Sequence, residues 1–386
     1  MKIAYISPIY FSDVDLSYLS HAQKELDITY FTPIISNITK GAAFNLQEQK
    51  KCYGIYPAIQ LYPELEKFGH LIDLNKFKII NSPAKKMWHI KNLLLHIKLV
   101  WKLRKYDLIH ITEFPRYYEW FLYFLRKKVI LTVHDPIPHS TIACNTKSTH
   151  INRNLAFKLL KDFILLNKNQ REECIRINKL QNKNVFVSKL GRYDYLRMYD
   201  LTQKESTNKY ILFFGQIASN KGLDILFPAM KELHKTNPDI KLISAGKGNY
   251  PFDIEEYKKL DYFDIRNSFI PDQELAELIK NSIFVVCPYK DATQSGVIMS
   301  AFAFNKPVIA TNVGGFPEQV IHNKYGLIIQ PNDIEQLATA LQSLCSKISV
   351  LESFSENIQK GYESGEYSWK HIVSEHIAFY KTAIIS

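Results

Sequence analysis

The chain has 386 residues, enough for two ordinary domains, and 46% of them are apolar, the share expected of a globular protein with buried cores. No run of about 18 apolar residues is present to serve as a membrane-spanning helix, and the five cysteines (Cys52, Cys144, Cys174, Cys287, Cys345) have neither metal-ligand spacing nor the density of a disulfide framework. The net charge of +11 is uneven: residues 1–200 carry 31 Lys+Arg against 17 Asp+Glu, a net +14, and residues 201–386 carry 18 against 21, a net −3.

That asymmetry points to an anionic partner for the first half only, a membrane surface or a lipid diphosphate, with a merely solvated basic surface as the plain alternative. Nucleic acid is not expected, because no base-reading motif accompanies the charge. The opening MKIAYISPIY enters a strand-like run directly, without the basic region and cleavage site of a signal peptide. A reduced, cytoplasmic protein is the expectation.

In chain order, short β-branched runs alternate with helical stretches, the pattern of a mostly parallel sheet with crossover helices. Strands are expected at Lys2–Ser7, Ile28–Thr32, Leu108–Ile111, Val129–His134 and Val185–Ser188. Between the second and third of these, residues 84–105 read as a helix. Lys91, Lys98, Lys102 and Lys105 share one side of it, and Ile90, Leu93, Ile97, Val100 and Trp101 line another. Either this is a basic amphipathic helix resting on anionic lipid, anchored by Trp88 and Trp101, or its apolar side packs on the sheet as in any crossover helix. Arg126, Lys127 and Lys128 add to the same charge. His134 ends an apolar strand just before Asp135-Pro136, with His139 beyond it.

The polar stretch 201–208 has no apolar period and reads as an interdomain linker. Past it, strands are expected at Tyr210–Gln216, Lys241–Ala245, Ile265–Ile270, Phe284–Pro288, Pro307–Thr311 and Leu327–Gln330. The loops that follow these strands hold the candidate chemistry, since open α/β sheets bind ligands outside the carboxyl ends of their strands. The first runs from Phe214 through Gly215, Gln216 and Lys221 to Gly222. Its glycine permits close backbone approach, and its lysine can neutralise a diphosphate or can simply be a surface residue. The second is Ala245-Gly246-Lys247-Gly248, and the fourth carries Gly314-Gly315. The third, Pro288 to Val297, is small and polar and leads into a helix near Gly296, whose free amides and dipole suit phosphate. Residues 368–386 form a last helix with apolar side chains at Trp369, Ile372, Val373, Ile377 and Tyr380.

Taken together, these motifs resemble the family 4 retaining glycosyltransferases of the GT-B fold. The matching segments are FFGQIASNKGLDIL (213–226), KLISAGKG (241–248), FIPDQELAELIKNSIFVVCPY (269–289), DATQSGVIMSAFAFNKPVIATNVGGFPE (291–318) and YGLIIQPND (325–333). The first half matches more loosely, in DLIHIT (107–112) and LTVHDPIPH (131–139). The resemblance implies two Rossmann-like domains, an acceptor-binding one at 1–200 and a nucleotide-sugar-binding one at 209–367. A cleft lies between them, and a last helix at 368–386 crosses back to the first domain. It implies diphosphate binding by Lys221 and the amides of Ser295, Gly296 and Val297, with Gly215, Gln216, Gly246, Asp291 and Gln294 around the donor. Ile270 stands beside the nucleobase, and His134 faces the sugar. No metal ion or other cofactor is implied. The implied activity is transfer of a sugar with retention from a nucleoside-diphosphate sugar to a saccharide acceptor, lipid-linked in many members, at the inner face of the membrane.

The chain departs from the family's pattern at three places. Gln216 stands where an arginine is usual, a difference of about 2–3 kcal/mol against the diphosphate if nothing replaces it. Ala292 and Ser300 take the places of two acidic residues, the second of which normally holds the ribose, and Asp291 can stand in for the first. Pro8-Ile9-Tyr10-Phe11-Ser12 replaces a glycine pair, so no acceptor residue carries over. Two other readings stand beside the transferase: a catalytically silent GT-B partner, and a sugar-nucleotide epimerase.

Overall fold

The computed structural model describes residues 1–35, 38–83, 89–136, 147–200 and 209–385. The expected linker 201–208, His139 and Trp88 lie outside the described residues. The chain divides into two compact units, residues 1–189 with 369–386, and residues 190–368.

The first unit contains β1 (Lys2–Ile6), α1 (Ser12–Glu25), β2 (Asp27–Ile35), β3 (Gly54–Pro57), α2 (Ala58–Leu61), β4 (Phe77–Ser82), α3 (Ile90–Leu103), β5 (Leu108–Ile111), β6 (Val129–Val133), α4 (Lys147–Leu159), β7 (Asp162–Leu165), α5 (Arg171–Asn178) and β8 (Asn184–Val187). The strand order is β3-β4-β2-β1-β5-β6-β7-β8, parallel except for β3 at the edge. Every residue of β5, β6 and β7 is buried, as expected of strands covered by helices on both faces. Leu95, Leu99 and Leu103 of α3 pack with Ile109, Ile111, Leu131 and Phe163 in one core.

The second unit contains β9 (Tyr210–Phe214), α6 (Leu223–His234), β10 (Lys241–Ala245), α7 (Glu255–Lys258), β11 (Phe263–Arg266), α8 (Asp272–Asn281), β12 (Val285–Cys287), α9 (Gly296–Ala303), β13 (Val308–Thr311), α10 (Phe316–Gln319), β14 (Gly326–Ile329), α11 (Ile334–Ser346) and α12 (Ile348–Glu363). Its order β11-β10-β9-β12-β13-β14, all parallel, is the doubly wound one. The order reverses between β9 and β12, which makes the loops after those strands the place to seek a ligand. The last helix, α13 (Trp369–Ile385), packs against α1 in the first unit.

Two expectations need correcting. The first domain does not extend to residue 200, because Leu190–Asp200 belongs to the second unit. There Tyr193, Tyr195 and Leu196 are buried, and the Tyr193 amide donates to the Met299 carbonyl at 3.1 Å. The polarity of 201–208 marked a boundary about ten residues too late, because a tertiary contact, not composition, decides where the unit begins. The face of α3 is also reversed. Ile90, Ile97 and Trp101, read either as a lipid-facing side or as the side packed on the sheet, are exposed, which excludes the second alternative, and Leu95, Leu99 and Leu103 with Asn92 and His96 are buried instead.

A buried hydrogen-bonded network joins α13 to the sheet of the first unit. His110 lies between Thr132 Oγ1 (2.6 Å) and the Tyr380 hydroxyl (2.7 Å). Tyr380 meets the Tyr18 hydroxyl at 3.0 Å, and His376 links Tyr18 to Ser188 Oγ at 3.3 and 2.8 Å. Beside it, Tyr5 and Tyr30 both donate to the buried Asp15 carboxyl, at 2.8 and 3.0 Å. Paired polar groups of this kind can be buried without the penalty of an orphan.

Candidate functional site

The expected ligand loops of the second unit form one connected surface. After β9 the backbone turns at Gly215, whose φ of +115° few side chains tolerate, and a Cβ there would lie 3.3 Å from Val297 Cγ2. Gly246 meets the same loop so closely that a Cβ would lie 1.8 Å from the Gly215 carbonyl oxygen. Hydrogen bonds from Gly215 N to Ala245 O (3.0 Å) and from Ile217 N to Lys247 O (3.1 Å) hold the first loop to the second. The third loop joins through Lys290 N to Asn220 O (2.8 Å) and Asn220 Nδ2 to Asp291 O (3.4 Å). The fourth joins the third through Gly315 N to Thr293 O at 2.8 Å. The four loops are thus fixed to one another, mostly by backbone hydrogen bonds.

Lys221 is the principal cation of this surface. Its ammonium sits 3.9 Å from the centre of the Tyr289 ring. Among the described residues no carboxylate pairs with it, whereas the nearby Lys290 is tied to Asp224 at 2.5 Å. Burial pushes the Lys221 pKa down, which is the cost of holding a cation away from water without a counter-ion. An aromatic face repays part of that cost without neutralising the charge. Tyr289 is itself fully buried and hydrogen-bonds the Ser295 side chain.

The helix start at Gly296 behaves differently from expectation at one position. Gly296 and Val297 stand in the first turn of α9, where amides have no helical acceptor. The Ser295 amide, expected to bind phosphate, donates instead to Gln319 Oε1 at 2.9 Å, and Gln319 Nε2 returns a bond to the Ser295 carbonyl at 3.3 Å. Gln319, on α10, fastens the third loop from beneath, and no sequence signal marked it. Gln216 is exposed, Asp291 and Gln294 are half-buried, and Ser300 is buried in α9. Ile270 is half-buried in the loop after β11, which is pinned to the second loop by paired bonds between Asn267 and Gly248 at 3.1 Å. Its neighbour Phe269 is exposed, an aromatic beside the expected nucleobase position. Among the described residues, no three His, Cys, Asp or Glu side chains converge as metal ligands.

In the first unit, His134 follows β6 and lies under Phe11, the two rings stacked at 3.9 Å with 15° between their planes. Its Nε2 is buried with no hydrogen-bond partner among the described residues, and burial lowers its pKa to about 4, so the imidazole is neutral near pH 7. Phe11 occupies the segment where the resembled family has glycines. Arg153, buried on α4, bonds the carbonyls of Asp135 (2.8 Å) and Pro136 and so fixes the turn after His134. This residue too was missed, since nothing in its local sequence distinguishes it from a surface arginine.

The class that this architecture defines is the GT-B fold, and solved structures of that fold align along nearly the whole chain. HepE of Anabaena, solved with UDP, aligns with a TM-score of 0.66 at 16% identity, covering 99% of this chain and 100% of that one. Sucrose-phosphate synthase from Thermosynechococcus elongatus aligns with a TM-score of 0.67 at 16% identity, covering all of both chains. Residues 200–361 match the family model described as Glycosyl transferases group 1. An uncharacterized glycosyltransferase of Methanocaldococcus jannaschii is 26% identical over 310 residues, 72% of this chain and 76% of that relative. A D-inositol 3-phosphate glycosyltransferase of Rhodococcus jostii is 27% identical over 186 residues, 46% of this chain but only 41% of the relative. Together these similarities support a glycosyltransferase, most strongly for the second unit.

Proposed function

We propose that the protein transfers a sugar, with retention, from a nucleoside-diphosphate sugar to a lipid-linked saccharide acceptor at the inner face of the membrane, in surface-polysaccharide assembly. The observation that carries this reading is the unneutralised Lys221 ammonium above Tyr289, at the point where the second sheet reverses its strand order, with the open amides of Gly296 and Val297 on the adjoining loop. A leaving nucleoside diphosphate gains negative charge in the transition state, and a fixed cation with aimed amides stabilises it there more than in the ground state. The first unit takes the acceptor side. Because HepE has been solved with UDP and with UDP-glucose, uridine nucleotides are the first donors to try.

The competing reading, a silent partner that keeps the fold, is favoured by specific features. Gln216 and Ala292 supply no charge, the Ser295 amide is occupied by Gln319, and Phe11 covers His134. A thermal-shift panel of nucleoside diphosphates and their sugars separates the two. Stabilisation by about 2.7 kcal/mol is expected at a hundredfold excess over Kd, and Lys221→Ala should remove it. No shift from any member at millimolar concentration would sink the transferase.

A further inference from the structure

Helix α3 is apolar on two opposite sides. At 100° per residue its buried side chains Asn92, Leu95, His96, Leu99 and Leu103 fall in an arc of about 100°, and they pack on the first unit's core. Ile90, Leu94, Ile97 and Trp101 fall in an arc of about 60° centred on the opposite side, where they are between 50% and 65% exposed. Lys91, Lys98, Lys102 and Lys105 lie along one flank between the two arcs, and no Asp or Glu occurs between His89 and Tyr106. The adjoining 3₁₀ run Tyr117–Lys128 packs on α3 and carries Phe124, 75% exposed, followed by Arg126, Lys127 and Lys128. Burial, and after it repulsion from Lys78, Lys98 and Lys105, lowers the Lys102 pKa, a sign of uncompensated positive potential along this flank.

A crossover helix needs one apolar side. Among the described residues the second meets only the Lys105 ammonium, 5.7 Å from the centre of the Trp101 ring, and an exposed apolar patch rimmed by charge of one sign marks an interaction surface. We propose that Ile90, Leu94, Ile97, Trp101 and Phe124 form a docking surface for an anionic lipid bilayer. The apolar side chains enter the acyl boundary, the Trp101 indole lies at headgroup depth, and the lysine flank meets lipid phosphates. A second copy is a poorer occupant, because antiparallel pairing of two such stripes brings the lysine flanks of both chains to one seam, and no Asp or Glu of this helix is present to meet them in either pairing. A bilayer has an apolar interior beneath a sheet of negative charge, which is the order of apolar pole and basic flank on this helix. The surface differs from the one the sequence suggested, since Leu93 and Val100 lie off the exposed arc and Leu94 and Phe124 join it. Its purpose, bringing the enzyme to a lipid-linked acceptor, rests on the proposed function; the surface itself does not.

The test is co-sedimentation of the full chain with vesicles of phosphatidylcholine containing roughly one-third phosphatidylglycerol, against phosphatidylcholine alone. Binding to the anionic vesicles only, weakening with salt, is expected. Leu94→Ser with Trp101→Ser should weaken it about tenfold or more, and Lys91→Gln with Lys98→Gln and Lys105→Gln should remove the salt dependence. All five positions are exposed, so the variants should keep the wild-type melting temperature. Equal binding to both vesicle types, or a Leu94→Ser/Trp101→Ser variant that binds like the wild type, overturns the proposal. So does a wild-type dimer in sedimentation velocity that the serine pair converts to monomer. A UDP-induced thermal shift measured on the same samples reports the donor site separately, so loss of one reading is not mistaken for loss of the other.

Discussion

An ammonium held over a phenol ring keeps its full charge, which is what a phosphate-binding lysine requires. If Lys221 binds a diphosphate as proposed, a carboxylate in the place of Tyr289 would have to be displaced by it, whereas the ring only fixes the position of Lys221 Nζ. Tyr289→Phe, which keeps the ring, should bind UDP within about threefold of wild type. Tyr289→Leu should weaken UDP roughly three- to thirty-fold, the range of about 0.5–2 kcal/mol for such a contact, and leave uridine unaffected. Calorimetry on the four combinations decides it, and equal losses for UDP and uridine would reduce Tyr289 to a packing residue. In the first unit the corresponding question concerns Phe11. Removing its ring in Phe11→Ala admits water to His134, so the imidazole pKa should rise from about 4 toward the ordinary value of about 6.5, seen in a side-chain NMR titration. A pKa unmoved by the substitution would place the burial elsewhere. The positions of Lys221 before a helix and of Gly296 at a helix start were legible in the sequence because both depend on local spacing. Tyr289, Gln319 and Arg153 were not, since each acts through a residue distant in sequence.

At the scale of elements, five of the six strands of the second unit were legible as apolar runs bounded by a glycine, a proline or a polar turn; the strand expected at Ile265–Ile270 lies instead at Phe263–Arg266, which leaves Ile270 in the loop. In the first unit β3, β4 and β7 were passed over. Runs such as Asp162–Leu165, four residues directly after a helix, carry no period that separates strand from helix. Helix α3 shows the converse failure. Its existence was plain, but with apolar residues on two opposite arcs the sequence pattern has two candidate inward faces. Only the leucines Leu95, Leu99 and Leu103 fit the core beside Ile109 and Phe163. Composition does not choose between such faces; the shape of the sheet beneath does.

At the scale of the molecule, the network through His110 and His376 ties stability to pH. Burial holds both imidazoles neutral, His376 at about 4 and His110 well below its ordinary value. Below about pH 6.5 the unfolded chain takes up protons that the folded chain refuses, so their contribution is present above that pH and is lost as pH falls toward 4. Asp15 acts oppositely: burial lifts it to about 7, so the folded state keeps a proton that the unfolded chain gives up above about 3.9. Replacing His376 by Gln should therefore cost stability at pH 7 and flatten the acid limb between pH 6.5 and 4.5 by about 1.4 kcal/mol per pH unit. Urea midpoints at several pH values give the slope directly. An unchanged slope would mean that His376 is charged in the fold.

The return of the chain to its first unit has a further consequence, for the order of synthesis. The second unit is one continuous segment, complete once residue 368 has been made. The first is translated in two instalments, and until Trp369–Ile385 arrives, the hydroxyls of Tyr18 and Ser188 and the ring of His110 lack the partners that α13 brings. The unit whose main segment is translated earlier is thus completed after the unit that follows it. A truncation before Trp369 would spare the unit it adjoins and undo the one whose main segment ended 180 residues earlier, at Lys189.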